Sequence, residues 1–191
     1  MLSIIIPTKN RSKYLIDLVS SIDKQIKSPL EIIIIDQSKE FNSDISLKKD
    51  YIKYIHNTNI SNLSDAKNYG LNYASGEYIG FFDDDIVLKE NFIDELDLIL
   101  KKNPIGVSGV EERTFINNYY IYIFKLISYR GMFKDDRIIY KKSLLDYKES
   151  NKIFGGCSFF RAEIFKKVKF RPNSPLFINE DTDFSLIVRS K

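Results

Sequence analysis

Three consecutive carboxylates, Asp83-Asp84-Asp85, follow an apolar run that ends at Phe82. We call these three residues the acidic turn. Adjacent negative charges repel one another, and a fold tolerates them most readily where a cation neutralises them. Hard cations such as Mg²⁺ prefer oxygen ligands and are commonly held by one or two carboxylates together with substrate phosphates. The triplet therefore indicates a metal and diphosphate site, although a plain acidic turn that caps a helix near Glu90 would use the same residues.

A second acidic group lies near the end of the chain, in Asn179-Glu180-Asp181-Thr182-Asp183. It leads into a helical pattern that runs through Arg189. Asp is also a common helix N-cap residue. Composition around Asp181 alone therefore leaves a capping role and a chemical role open.

Apolar runs and helical patterns alternate along the chain and must position both acidic groups. The predicted strands are residues 2–6, 30–35, 51–55, 77–82 and 105–110, and the first two runs are continuous enough for burial on both faces of a sheet. Helical spacing predicts helices from a Ser12 cap to Pro29, over residues 64–73, from 92 to about 103, and ending within residues 165–170. This alternation predicts an α/β fold with a mostly parallel, Rossmann-like central sheet flanked by helices.

Polar residues follow three of these predicted strands, namely Thr8, Asp36 and Asp83. In parallel α/β sheets, ligands bind beyond the carboxyl ends of the strands. We therefore expect the three residues to converge at one edge of the sheet. Their convergence favours a ligand site over a simple helix cap.

Bulk composition narrows the class of protein. The chain has 191 residues and 43% hydrophobic residues, enough for one globular domain with a substantial core. Its net charge is only +3, and its lysines and arginines form no long basic block, so no nucleic-acid partner is expected. A single cysteine excludes an internal disulfide framework. With no signal-peptide pattern and no run of about 20 apolar residues, a cytoplasmic location is expected.

Five segments, in order, resemble the motifs of one known family. They are residues 3–11 (SIIIPTKNR), 31–36 (EIIIID), 62–68 (NLSDAKN), 76–79 with 82–85 (GEYI and FDDD), and 179–183 (NEDTD). Over nearly its whole length the sequence resembles the family 2 glycosyltransferases of the GT-A fold, and the fourth segment is similar to the DXD motif of that family. The resemblance implies an inverting transfer of a sugar from a nucleoside diphosphate of the UDP, GDP or dTDP type to a hydroxyl.

The resemblance also implies roles for both acidic groups. Asp85 is the expected direct ligand of Mn²⁺ or Mg²⁺, Asp83 supports the metal or the ribose, and Asp84 lies near the ribose. Asp181 is the predicted general base, and Glu180 orients it or contacts the acceptor. Two adjacent carboxylates can raise one another's pKa, which suits a base that works near neutral pH.

The remaining predicted donor contacts lie after the early strands and on the second helix. Thr8, Asp36 and Gln37 are expected to frame the base and ribose, and Pro7 and Asn10 belong to the same pocket. Arg11 and Lys67 are candidates to meet phosphates. Gln37 stands where the family often has a second acidic residue, and Lys67 stands where Arg is usual. The chain also stops soon after the Glu-Asp segment, as a compact member or a fragment would.

The two halves of the chain are expected to divide the work. Residues 1–110 would bind the nucleotide sugar, and residues 111–191 would bind a saccharide or lipid-linked acceptor and carry the base. Aromatic residues within 115–133 predict either core packing or a peripheral membrane contact at the inner face of the membrane. Two other functions stay open, a non-catalytic nucleotide-sugar-binding fragment and a sugar-nucleotide nucleotidyltransferase. The second usually has a Gly-rich phosphate loop, which residues 7–11 lack.

Overall fold

The computed structural model describes residues 1–25, 30–44, 49–109, 153, 155–172 and 180–190. Within them lie six strands: β1 (Leu2–Thr8), β2 (Leu30–Asp36), β3 (Ile52–His56), β4 (Tyr78–Phe82), β5 (Gly106–Ser108) and β6 (Cys157–Arg161). Four α-helices accompany them: α1 (Ser12–Asp23), α2 (Leu63–Gly70), α3 (Phe92–Leu100) and α4 (Glu180–Arg189). Two 3₁₀ helices span Leu71–Tyr73 and Ala162–Lys166. The aromatic stretch 115–133 lies outside the described residues.

The strands form one sheet in the order β3-β2-β1-β4-β6-β5. The first four are parallel, and β6 pairs antiparallel with both β4 and β5. The chain moves outward from β1 to β2 and β3 and then returns to place β4 on the other side of β1. In sheets of this kind the crevice at such a reversal is where ligands bind. The predicted, mostly parallel α/β sheet is therefore confirmed, and its reversal lies between β1 and β4.

Two hydrophobic clusters cover the two faces of the sheet. Successive side chains of a strand point to opposite faces, and β1 follows this rule: Ile4 and Ile6 pack with α1 and α3, whereas Ile5 packs with α2 and α4. All three isoleucines are fully buried. The prediction that the early strands are buried on both faces is confirmed.

Several predicted boundaries differ from the structure. Residues 165–170 were predicted to end a helix, but a 3₁₀ helix occupies Ala162–Lys166 and the chain beyond Lys167 is irregular. Ser12 was predicted as the cap of α1, but it is the first helical residue, and Arg11 caps without a side-chain hydrogen bond. Strand β6 was not predicted, because its five residues, Cys157–Arg161, show no alternation of polar and apolar side chains.

Membrane-spanning segments can be assessed only in the part of the chain that the structure describes. None of the helices there has the length and apolar character needed to cross a bilayer.

Candidate active site

The acidic turn directly follows β4 and is tied to the end of β1. Thr8 Oγ1 donates a hydrogen bond to Asp84 Oδ2 at 2.7 Å. Arg11 Nη1 lies 3.0 Å from Asp84 Oδ1 and 3.0 Å from Asp85 Oδ2. Asp84 is buried with both oxygens engaged, whereas the Asp85 side chain is 46% exposed. Among the three carboxylates of the acidic turn, Asp85 is therefore the one that both contacts the Arg11 guanidinium and is exposed to solvent.

Asp83 differs from its two neighbours because it lies against β6. Its backbone N–H donates to the carbonyl of Gly156 at 2.9 Å. A Cβ built on Gly156 would lie 3.2 Å from Asp83 Oδ2, so the carboxylate rests close to that glycine. Burial raises the pKa of Asp83, Lys67 opposes this, and the neighbouring carboxylates Asp85, Glu180 and Asp84 add to it. A half-buried carboxylate whose ionisation is disfavoured is one that an added cation would stabilise.

Lys67, Glu180 and Asp181 form a second group that we call the buried cluster. Lys67 Nζ lies 2.7 Å from Asp181 Oδ1 and 2.9 Å from Glu180 Oε1. The Lys67 side chain is 1% exposed, and its ammonium also lies 5.1 Å from the centre of the Phe170 ring. Lysine is seldom fully buried unless it is paired. The two carboxylates, 113 and 114 residues away in sequence, supply that pairing.

The pKa values of the buried cluster are pushed apart. Burial raises the pKa of Asp181, and despite the opposing charge of Lys67 the pKa reaches about 6, with Glu180 and Asp83 contributing. Burial also disfavours ionised Glu180, but the contact with Lys67 outweighs it and lowers the pKa of Glu180. For Lys67, burial favours the neutral amine, yet Asp181 and Glu180 outweigh it and raise the pKa. At neutral pH the cluster therefore holds a charged Lys67–Glu180 pair beside a carboxylate that takes up a proton near pH 6.

Aromatic packing holds the first turns of α4 in place. Phe184 stacks on Phe170 with ring centroids 4.3 Å apart and on Phe165 at 5.4 Å, and it meets Phe160 edge-on at 5.0 Å. Arg171 forms a bidentate ion pair with the buried carboxylate of Asp183, with Nε 2.7 Å from Oδ2. Glu180 and Asp181 lie in the first turn of α4, not ahead of it. Rigid packing on the sheet thus fixes where both carboxylates project.

The Gly155-Gly156 pair contacts both the acidic turn and the buried cluster. A side chain on Gly155 would overlap the carboxylate of Asp181, whereas a Cβ on Gly156 would meet Asp83. Two glycines therefore let both carboxylates pack against the same short backbone segment.

Asp36 ends β2 directly beside Thr8, its parallel partner. Its carboxylate accepts hydrogen bonds from the Tyr54 hydroxyl and from the Ser38 backbone N–H, the latter at 2.8 Å. Burial raises the pKa of Tyr54, and the hydrogen bond to Asp36 raises it further. Tyr54 was not predicted as part of the site. Its position in the third predicted strand was the only sequence signal that could have indicated it.

Gln37 and Asn10 connect the loops that follow β1 and β2. The Gln37 backbone N–H donates to Thr8 O at 2.9 Å, and its side-chain Nε2 donates to Ile60 O at 2.9 Å and Asn62 O at 3.3 Å. Asn10, with a left-handed φ of 57°, donates its backbone N–H to Ser38 Oγ at 2.7 Å. Pro7 is buried within β1. Both loops therefore form one continuous rim beside the acidic turn.

The structure brings the predicted site residues together as two groups. Thr8, Arg11 and the acidic turn form one group, with Asp36 and Gln37 adjoining Thr8. Lys67, Glu180 and Asp181 form the other. The sequence predicted a phosphate contact for Lys67, but its ammonium lies against Glu180 and Asp181. The residues around Lys67 in the sequence do not indicate whether it binds a phosphate or these two carboxylates.

Among the described residues, the acidic turn offers oxygen donors of the kind that a divalent metal would use. Across the described residues, no group of three or more His, Cys, Asp or Glu side chains is arranged to hold a metal by itself. The donor set still fits a hard cation, because Asp85 and Asp83 are oxygen ligands and Mg²⁺-type sites are completed by substrate phosphates and water. The guanidinium of Arg11 already meets this turn, which shows that it accepts a positive charge.

A sheet of this order, with an acidic turn at its reversal and helices on both faces, has the architecture of the GT-A fold. The chain belongs to glycosyl transferase family 2, whose model matches residues 3–169. It is 32% identical over 187 residues to the GalNAc(5)-diNAcBac-PP-undecaprenol beta-1,3-glucosyltransferase of Campylobacter jejuni, covering 95% of this chain and 57% of that protein. The predicted family is thereby confirmed.

Two solved structures share the fold at low sequence identity. The mannosyltransferase PcManGT of Pyrobaculum calidifontis, in complex with GDP-Man and Mn²⁺, superposes with a TM-score of 0.66 at 15% identity over 96% of this chain and 50% of that one. S. aureus TarS in complex with UDP-GlcNAc gives a TM-score of 0.59 at 21% identity over 97% and 52%. The chain thus spans less than two thirds of the length of the relatives and structures that it matches.

Proposed function

We propose that this chain transfers a sugar from a nucleoside diphosphate to a hydroxyl acceptor, with inversion at the anomeric carbon and with Asp181 as general base. One observation carries the proposal: Asp181, a carboxylate with a pKa of about 6, packs against Gly155, and Asp83 of the acidic turn packs against the adjacent Gly156. A base held close to a diphosphate site is what in-line displacement requires.

The donor half of the site would be formed by the ends of β1, β2 and β4. Thr8, Asp36 and Gln37 lie where the nucleoside would bind, with Pro7 and Asn10 in the surrounding rim. Both amide hydrogens of Gln37 can be used by Ile60 O and Asn62 O, which leaves its side-chain oxygen as an acceptor. An acceptor there can take the ring N–H of uracil, thymine or guanine, the bases of the proposed UDP, dTDP and GDP donors. The UDP-GlcNAc and GDP-Man complexes of the structural neighbours carry bases of this kind.

The diphosphate would meet positive charge at the acidic turn. Asp85 is the proposed direct ligand of Mn²⁺ or Mg²⁺, with Asp83 in support and Asp84 near the ribose. When bound, the metal would act as a Lewis acid that neutralises charge on the leaving diphosphate. Arg11, 51% exposed, is placed to turn from Asp84 and Asp85 toward a phosphate.

The transfer itself would use one proton and two bonds. Asp181 accepts the proton of the acceptor hydroxyl as its oxygen bonds to the anomeric carbon. The bond from that carbon to the diphosphate oxygen breaks, and the nucleoside diphosphate leaves with the electron pair. Glu180, held as an anion by Lys67, would orient Asp181 or contact the acceptor.

The acceptor is proposed to be a saccharide, either free or lipid-linked, in cell-surface polysaccharide or glycolipid synthesis. The support is the relationship to the Campylobacter jejuni enzyme, whose name specifies an undecaprenol-linked glycan. Contact of residues 115–133 with a membrane remains a prediction.

A nucleotide-sugar panel tests the donor half of the proposal. The chain is mixed with Mn²⁺ and UDP-, GDP-, dTDP-, CDP- or ADP-sugars, and thermal stabilisation and release of nucleoside diphosphate are measured. We expect one of the first three to bind and be slowly hydrolysed, and CDP- and ADP-sugars to fail. Release of pyrophosphate from a sugar phosphate and a nucleoside triphosphate would instead indicate a nucleotidyltransferase.

Asp181→Asn tests the base. Loss of a positioned general base lowers a rate by about 10²–10⁴-fold, while calorimetric affinity for nucleotide and Mn²⁺ should stay within error. Asp97→Asn, which removes an exposed carboxylate on α3, is the matched control. Unchanged turnover in Asp181→Asn would exclude Asp181 as the base, and donor binding without any turnover in the wild-type chain would indicate a binding fragment.

A further inference from the structure

We propose that Lys67 is a positioning residue for transfer: it fixes Asp181 by one carboxylate oxygen so that the other oxygen faces the acceptor. This proposal rests on the function proposed above, in which Asp181 is the base. It differs from the phosphate-binding role that the sequence predicts for Lys67.

Lys67 lies on a polar face of α2. Lys67 and Asn68 follow Ser64 by three and four residues, so the three side chains share one side of the helix. Ser64 Oγ donates to Arg171 O at 3.0 Å, and Asn68 pairs with the backbone of Phe170 through two hydrogen bonds of 2.8 and 3.0 Å. Lys67 alone reaches from this face to α4. The face therefore holds the segment around Phe170 through backbone contacts and the base helix through one ammonium group.

The contacts of Lys67 are selective at the level of atoms. Its ammonium lies 2.7 Å from Oδ1 of Asp181, and Oδ2 of Asp181 is the atom that a side chain on Gly155 would meet first. Oδ1 is thus anchored, and Oδ2 packs against the backbone of Gly155, beside the glycine that Asp83 contacts. We assign Oδ2 as the oxygen that accepts the acceptor's proton.

The environment of Lys67 makes exchange of its partners unfavourable. At 1% exposure the ammonium cannot be hydrated in place, and it lies over the rings of Phe170 at 5.1 Å and Phe81 at 5.9 Å. A phosphate-binding lysine would instead need to extend to the ligand. The two nearest carboxylates are therefore permanent partners, present with or without a donor.

Lys67→Met and Lys67→Arg separate positioning from phosphate binding. We expect Lys67→Met to lower kcat about 100-fold, as a displaced catalytic group does, with the KM for donor and the calorimetric affinity for UDP with Mn²⁺ changed less than threefold. Lys67→Arg, which keeps the charge, should recover at least a tenth of the wild-type kcat. Lys101→Met, an exposed lysine on the end of α3, is the control. A tenfold loss of UDP affinity with kcat retained would overturn the proposal.

A double variant keeps the test decisive if Lys67→Met folds poorly. Lys67→Met/Glu180→Gln removes the cation together with one carboxylate, and Glu180→Gln alone is its reference. We expect thermal stability to recover while kcat stays well below that of Glu180→Gln, because Asp181 is still unanchored. Recovery of kcat to the level of Glu180→Gln along with stability would show that Lys67 is only structural. Full activity of Asp181→Asn would instead contradict the proposed function, whatever the Lys67 variants do.

Discussion

The acidic turn and the buried cluster are both built from carboxylates around one cation, but solvent reaches them to different degrees. Arg11, which meets Asp84 and Asp85, is 51% exposed, whereas Lys67, which meets Glu180 and Asp181, is 1% exposed. Exposed ion pairs are screened and easily exchanged, and buried ones are not. The difference teaches that the acidic turn holds a cation that a ligand could replace, while the buried cluster holds a cation that belongs to the fold.

The largest expected effect is a loss of folding stability when the buried cluster is altered. Removing one partner of a buried ion pair typically costs about 3–5 kcal/mol, so Lys67→Met should lower the free energy of unfolding in urea by that amount. Lys101→Met, on an exposed i,i+4 pair with Asp97, should stay within about 0.5 kcal/mol of wild type. A Lys67→Met loss below about 1 kcal/mol would mean that Lys67 is not held as the structure shows.

Adding a methyl group between the two sides should have the next largest effect. Gly155→Ala would force a Cβ into the Asp181 carboxylate, which Lys67 prevents from moving away. Overpacking of this kind costs about 1–3 kcal/mol, and the transfer rate should fall with it. Gly156→Ala, whose Cβ lies 3.2 Å from Asp83 Oδ2, is the matched control and should cost less. Equal losses in thermal melts and in turnover would contradict the assigned contacts.

The pH dependence of turnover tests the base side directly. The pKa of Asp181 is raised to about 6, so the group is protonated, and unable to accept a proton, below that pH. With saturating donor, the rate should be constant above about pH 7 and fall about tenfold for each pH unit below 6. Lys67→Arg should show the same fall in rate below pH 6. A rate that is flat down to pH 4.5 would contradict Asp181 as a base that titrates near pH 6.

The smallest effect on stability is expected when Arg11, beside the acidic turn, is replaced. Arg11→Gln should change the urea midpoint only slightly, because Arg11 is 51% exposed and its buried partner Asp84 keeps the hydrogen bond from Thr8. Its affinity for UDP with Mn²⁺ should fall by less than about tenfold, and by less still at high salt. Lys13→Gln on α1 serves as the control. A large drop in the urea midpoint for Arg11→Gln would remove the contrast between the two sides.

The position of the acidic turn and of the neighbouring strand ends could largely be predicted from the sequence. Thr8, Asp36 and the acidic turn directly follow continuous apolar runs, and parallel strands bring their carboxyl ends to one edge. The buried cluster could not be predicted in the same way. Glu180 and Asp181 were recognisable as a motif, but their contact with Lys67 spans 113 and 114 residues, and no local pattern records it. Strand β6 was missed, and with it the reason why Gly155-Gly156 precedes it.

By itself, the sequence determined the α/β class, the order of the early strands along the chain and the residues at their ends, because hydrophobic periodicity and strand-end polarity are local properties. Only the tertiary structure decided that Lys67 contacts Asp181 and Glu180 and that Gly155 lies against Asp181. It also decided that Asp84 is buried while Asp85 is exposed. Those outcomes depend on which distant surfaces pack together. In a close-packed interior, the partners of a buried charge are set by the whole fold.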